Sequence, residues 1–238
     1  QAERWTELQS ACAYMGFGLI QTSPNGLEKV TPKCRSEEPA IWAPMVRCIA
    51  DILRRFDAVD AAGVVALHHA GRADDLPARM RAWFNGTPSP DIEMLDEVLT
   101  WAARPYVQRT AEVLQQRVNF DGWRRATCPV CAGEPEFSVI TTSGERQLVC
   151  GRCLVRWAFA ATDCPYCGNR DRSTITSMTT ADGVYRVNIC QPCGRYIKAL
   201  DARKSSRPLL PYADPIVTLP LDAAVMRRRG KWKVESEK

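Results

Sequence analysis

The sequence has little of what most enzymes are built on. It contains only two histidines, and these are neighbours, His68 and His69. Successive side chains on a helix diverge by about 100°, so the two cannot close on one ion, and a solvated helix surface is the expected place for them. No Gly-x-Ser-x-Gly elbow, Walker loop or Gly-x-Gly-x-x-Gly turn occurs, which removes the usual nucleophile and phosphate-cradle signatures. The acid pairs Glu37-Glu38 and Asp74-Asp75 are adjacent residues, the pattern of a turn or a helix start rather than of acid–base work. No run of eighteen apolar residues exists, which excludes a helical membrane span on length. The chain opens on Gln1 without a secretory leader pattern, and an N-terminal piece is expected to be missing.

Cysteine is what the chain has in excess. Eight of its eleven cysteines form four Cys-x-x-Cys pairs: Cys128/Cys131, Cys150/Cys153, Cys164/Cys167 and Cys190/Cys193. One such pair presents two thiolates from a tight turn, so two pairs complete a tetrahedral site. Between the first two pairs, β-prone runs flank Ser143-Gly144. Between the last two, β-branched runs flank Asp182-Gly183, a stronger hairpin signal. Folding each hairpin brings its thiolates together, first pair with second and third with fourth. Leu154–Asp163 joins the two halves of this internal duplication. Cys-x-x-Cys also serves thiol–disulfide exchange, but that motif belongs to a βαβ setting with one pair at a helix N-terminus, which is absent here. Tetrathiolate sites suit both zinc and iron. Cys164-Pro-Tyr-Cys167-Gly168 and Cys190-Gln-Pro-Cys193-Gly194 look like rubredoxin knuckles, whose glycine allows φ > 0 and aims amide hydrogens at sulfur. Ala132 and Leu154 take the glycine positions in the first ribbon, so a less regular geometry is expected there. Cys12, Cys34 and Cys48 remain as scattered thiols, which argues for a reducing, cytoplasmic setting.

The charge divides unevenly. Residues 1–127 carry fifteen Lys and Arg against sixteen Asp and Glu; residues 128–238 carry seventeen against eleven. Four thiolates on a divalent ion leave −2, so two filled sites would bring the second half down to about +2. Basic residues do not interleave with aromatics, and nucleic-acid binding is not favoured.

Helical texture dominates the first 120 residues. Ser36-Glu37-Glu38-Pro39 reads as a helix start, followed by an apolar face of Met45, Ile49, Ile52, Leu53 and Phe56. Ser89-Pro90 predicts a second start, with Ile92, Leu95, Val98, Leu99 and Ala102 as its stripe. Pro105 should end or kink it, and Val107, Ala111 and Leu114 continue to about Val118. The expected class is α+β: an all-α domain over 1–121, two tandem rubredoxin-like (zinc-ribbon-like) β-hairpin metal modules over 122–160 and 161–204, and an extended segment with a short helix over 205–238. Trp157 and Tyr196 are expected to pack beside their ribbons and shield the sulfurs.

In the order of its motifs the sequence resembles the formate dehydrogenase accessory (formation) proteins, the FdhE family. The resemblance rests on Cys128-Pro-Val-Cys131, then Arg146-Gln-Leu-Val-Cys150-Gly-Arg-Cys153 with Trp157, then Cys164-Pro-Tyr-Cys167. Cys190-Gln-Pro-Cys193-Gly194-Arg195-Tyr196-Ile197-Lys198 follows, and Leu221-Asp222 with Gly230 closes the set. It covers about residues 128–230; the helical half matches only in texture. The resemblance implies a cytoplasmic, non-catalytic chaperone-like factor that contacts the catalytic subunit of formate dehydrogenase. It implies iron in the two tetrathiolate sites, with zinc as the alternative metal and the eight paired cysteines as ligands. Two other classes fit the residues, a rubredoxin-like electron carrier and a zinc-ribbon nucleic-acid-binding protein.

Overall fold

The structure, a computed structural model, describes residues 39–236. Cys12, Cys34 and the start signal Ser36–Glu38 lie outside the described residues. The chain divides into two compact units. Of the described residues, one takes in those up to Phe120 together with Pro129–Gly133, and the other takes in Asp121–Cys128 and those from Glu134 onward.

The first unit is helical: α1 Pro39–Arg55, α2 Ala61–Ala70, α3 Leu76–Phe84 and α4 Leu95–Arg117. Helix α2 begins at Asp60, whose carboxylate accepts the Gly63 N–H at 2.7 Å and so satisfies one orphan donor of the first turn. The buried face of α1 is Trp42, Val46 and Ala50, rotated from the face that periodicity suggests. Ile52 and Phe56 stay 48% and 75% exposed. Aromatic Trp42 sets the rotation by packing edge-on against Tyr106 of α4, with ring centroids 4.8 Å apart. Helix α4 starts at Leu95, five residues after the expected Pro90, because Asp96 turns its carboxylate back to accept the Ser89 N–H. It then runs through Pro105 without ending. Its stripe of Val98, Leu99, Ala102, Val107, Ala111 and Leu114 is buried, and each large apolar side chain there is worth about 2 kcal/mol.

The second unit is a single six-stranded mixed sheet in the order β3-β2-β1-β6-β5-β4, where β1 is Pro135–Ile140, β2 Arg146–Cys150, β3 Arg156–Ala158, β4 Ile175–Thr179, β5 Tyr185–Cys190 and β6 Tyr196–Asp201. Both expected hairpins form, β1 with β2 and β4 with β5. Gly144 at φ 88° and Gly183 at φ 68° supply the left-handed turn residues. The ribbons do not stand apart, however. Strand β6 pairs antiparallel with β5 and parallel with β1, matching Phe137 to Lys198 and Ile140 to Asp201, and so fuses both halves into one layer.

One face of the sheet carries the core: Phe137, Val139, Val149, Val187, Ile189 and Leu200. It is closed by α5 Asp214–Val217 and α6 Leu219–Ser236, the latter through Leu221 and Val225. The segment expected to be extended chain with one short helix thus folds into a short helix and a long one. Two polar clusters hold it to the sheet. Asp214, fully buried, accepts from Tyr185 Oη at 2.8 Å, Arg207 Nη2 at 2.6 Å and the Leu210 N–H at 2.8 Å. Asp222 accepts from Lys198 Nζ at 2.6 Å and Tyr196 Oη at 2.7 Å. No helix among the described residues is long and apolar enough to cross a membrane.

Candidate metal centres

The four knuckles converge in two groups. In each of Cys128, Cys131, Cys150, Cys153 and of Cys164, Cys167, Cys190, Cys193, all four sulfurs lie within 4.8 Å of one another. Tetrahedral coordination with 2.3 Å metal–sulfur bonds needs sulfurs about 3.8 Å apart. Sulfur–sulfur separations include 3.4 Å between Cys128 and Cys153, 3.7 Å between Cys164 and Cys193, and 3.6 Å between Cys167 and Cys190. No disulfide joins any of the eight. The donor set therefore fits a thiophilic ion in each cluster.

The knuckle turns explain the convergence. In three of them the first cysteine's N–H donates to a carbonyl five residues on: Cys150 to Val155, Cys164 to Asn169 and Cys190 to Arg195, at 2.8–3.0 Å. The residue four positions on returns its N–H to that cysteine's carbonyl, from Leu154, Gly168 and Gly194 respectively. This loop requires a left-handed residue at the fourth position. Gly168 and Gly194 supply it at φ 73° and 68°, and Ala132 and Leu154 adopt it too, at 53° and 61°. The first ribbon is therefore as regular in backbone as the second. It reaches that shape against a steric cost of about 1–2 kcal/mol per non-glycine residue. Ala132→Gly is accordingly expected to raise stability by about 0.5–1 kcal/mol, the strain relieved less the added freedom of the unfolded chain. Leu154→Gly should show no such gain, because Leu154 also packs against the sheet core. Metal-replete thermal unfolding of both variants checks this.

The two clusters differ in exposure. Cys128, Cys131, Cys150 and Cys153 are all buried, whereas in the second group Cys167 is exposed and Cys193 half-buried. Among the metal-free thiols, burial pushes Cys190 up to about 12, while the Asn169 N–H draws Cys167 down. Four thiolates crowded at this spacing repel one another, and a cation is what would relieve them. Amide hydrogens also reach sulfur in the first cluster: Arg152 and Cys153 direct theirs at Cys150 Sγ, at 3.3 and 3.5 Å. Trp157 is 2% exposed and donates its indole N–H to the Arg125 carbonyl at 2.9 Å. Tyr196 is half-buried against the core. His68 meets Asp51 at 2.8 Å, on the helical unit.

Sequence reading missed the polar surroundings of the second cluster. The Arg195 guanidinium stacks on the Tyr166 ring at 3.7 Å and pairs with Glu134, and Tyr166 donates to the Pro135 carbonyl. Burial pushes the Tyr166 hydroxyl up to about 12. Tyr166 and Arg195 both stand in the knuckle motifs, but nothing in their spacing pointed to Glu134.

No protein-family model matches the chain. It is 29% identical over 147 residues to an FdhE homolog of Aquifex aeolicus, covering 59% of this chain and 51% of that protein. It is 31% identical over 137 residues to one from Actinobacillus pleuropneumoniae, covering 56% and 44%. The FdhE protein of Escherichia coli is 29% identical over 128 residues, covering 52% and 41%. The chain thus spans about half the length of the curated relatives it matches. In fold it is similar to the crystal structure of the FdhE protein from Pseudomonas aeruginosa, with TM-score 0.55 and 21% identity over 81% of this chain and 68% of that one. With its paired four-cysteine clusters, this chain is similar to FdhE proteins over a little more than half of its own length.

Proposed function

We propose that the chain is a cytoplasmic, non-catalytic maturation factor that binds the catalytic subunit of formate dehydrogenase and is needed for that enzyme's assembly. The observation that carries this reading is the pair of four-cysteine clusters in a chain related to FdhE proteins. In it, Cys128, Cys131, Cys150 and Cys153 hold one ion and Cys164, Cys167, Cys190 and Cys193 the other, iron in each, with all four protein ligands filled in both. Bound metal would supply folding free energy to a small sheet, and iron could also pass single electrons at the exposed Cys167 corner. Ile216, Val217, Leu219 and Met226 leave more than half their surface to solvent, apolar area of the kind that protein partners cover.

Deleting the gene should abolish formate dehydrogenase activity, and the tagged protein should co-purify with the enzyme's catalytic subunit. Normal activity without association would sink the proposal. Metal analysis with an absorption spectrum of protein purified without oxygen decides between coloured iron–thiolate and colourless zinc.

A further inference from the structure

The face of the sheet opposite the apolar core is hollow, and arginine lines it. A cavity of about 440 Å³ lies over β1, β6, β5 and β4, within the size range of small-molecule sites. Arg146, Arg172, Arg186, Arg195 and Arg203 all reach its wall, and Asp163 is its one acidic lining residue. Neighbouring carboxylates do not balance these cations. Asp163 turns to Arg170, Glu134 is taken by Arg195, and the buried Asp201 is shared by Arg186 and Arg203. Arg146 and Arg172 are left over.

Arg146 is the informative residue. It is only 6% exposed, and its guanidinium meets no carboxylate: Nη1 donates to the carbonyls of Ala160 and Asp163 at 3.2 and 2.8 Å. Its Nε–H is buried without a partner, as is that of Arg186. Each buried orphan donor costs about 1–3 kcal/mol, more when charged. Arg146 stands across β1 and β6 from Arg186, three strand spacings away and two residues out of register, about 16 Å at the backbone. Two arginine arms span most of that distance, so an anion lying between them could be met by the outer nitrogens of both guanidinium groups. Arginine rather than lysine at every cationic position favours a ligand with several oxygens in fork geometry.

We propose that this cavity binds a phosphate-bearing small molecule, its oxygens held between Arg146 and Arg186 and its outer charge met by Arg172. A phosphoryl group offers three acceptor oxygens where a carboxylate offers two, and three arginines, Arg146, Arg172 and Arg186, line the cavity to meet them. The wall formed by Cys164 and Cys190 is where a filled cluster would place negative charge, and Arg146 faces it partly as a counter-charge. This site is independent of the assembly role proposed above.

The test is calorimetric titration of the metal-replete protein at low salt with inorganic pyrophosphate, a nucleoside diphosphate and glutarate. Pyrophosphate should bind saturably, and glutarate at least about tenfold more weakly. A nucleoside diphosphate binding tighter than pyrophosphate would identify a nucleotide as the source; equal binding would identify the phosphate alone. Arg146→Gln and Arg186→Gln should each weaken pyrophosphate about tenfold or more, the loss of one hydrogen bond to a charged group. Arg172→Gln, at an exposed position, gives a variant that folds regardless and should weaken it severalfold. Arg109→Gln on the helical unit should change nothing. Metal content and thermal midpoint, measured alongside, should stay unchanged in Arg172→Gln. Absence of saturable pyrophosphate binding, or glutarate binding as tightly, overturns the proposal. So does an Arg146→Gln protein that loses the second metal while keeping its pyrophosphate affinity, because Arg146 would then be a counter-charge only.

Discussion

Cys150→Ser is expected to halve the metal content, from two equivalents to one, and to melt far more than the first hairpin. Cys150 is fully buried, ends β2 and has amide hydrogens directed at its sulfur from two residues. A serine oxygen there is a hard, protonated donor in a site built for soft thiolate. Thiolate sites contribute roughly 10–16 kcal/mol of apparent binding free energy to folding, as much as the whole stability of an ordinary domain. Because β1 is paired to β6 as well as to β2, the loss should spread to the second hairpin and appear as a collapse of near-ultraviolet ellipticity. Cys190→Ser should cost the second cluster far more than the first. A chelator should empty the second cluster first, since Cys167 is exposed and Cys193 half-buried while the first four cysteines are buried. Two metal equivalents retained in Cys150→Ser, or first-cluster loss under chelation, would refute the assignment.

Asp214→Ala is expected to destabilise the second unit by about 2–4 kcal/mol, the cost of stranding the buried Tyr185 hydroxyl and the Leu210 N–H. Arg207 adds little to that figure, because 39% of its side chain is in reach of water. The same carboxyl sets a pH dependence. Burial alone would raise it, but Arg207, the Leu210 N–H and Tyr185 outweigh burial and hold it below the usual carboxylate range. A carboxyl depressed in the folded state stabilises fully above its unfolded value near 3.9, and that contribution fades as pH falls through the folded value. Asp201, depressed chiefly by Arg203, has the same sign. Urea midpoints should therefore fall below about pH 4 in the parent chain and fall less steeply in Asp214→Ala. Equal slopes would refute the role.

What could be read in advance was local. A Cys-x-x-Cys turn and a Gly-centred hairpin are specified within ten residues, so the knuckles, their pairing in space and both hairpins were legible. Strand β3 has three residues, too few to show alternation, and β6 carries Lys198 and Asp201 at buried positions, which hides it as a strand. Those two charges are tolerable only because Asp222, Arg186 and Arg203 answer them from elsewhere in the chain. The α1 face was misread for the same reason: Trp42 chose it through Tyr106, sixty-four positions away. Helix α4 began late because Asp96 reached backward to Ser89 instead of leaving Ser89 to cap. The arginine-lined cavity could not be read at all, since its walls meet only when the two ribbons share a sheet.

The parallel pairing of β1 with β6 also has a consequence for synthesis. Ser138 of β1 donates its hydroxyl to the Lys198 carbonyl of β6, sixty residues further along. At translation rates of 5–20 residues per second, Ser138 would wait about 3–12 s for its partner, with one long edge of β1 bare. During that interval its polar backbone groups are open to any other extended chain, the circumstance in which nascent strands pair wrongly. Early capture of an ion by Cys128, Cys131, Cys150 and Cys153 would hold the half-made ribbon in shape until its partner strand emerges. Starving growing cells of that ion should then send newly made chains into aggregates, while chains completed beforehand stay dispersed.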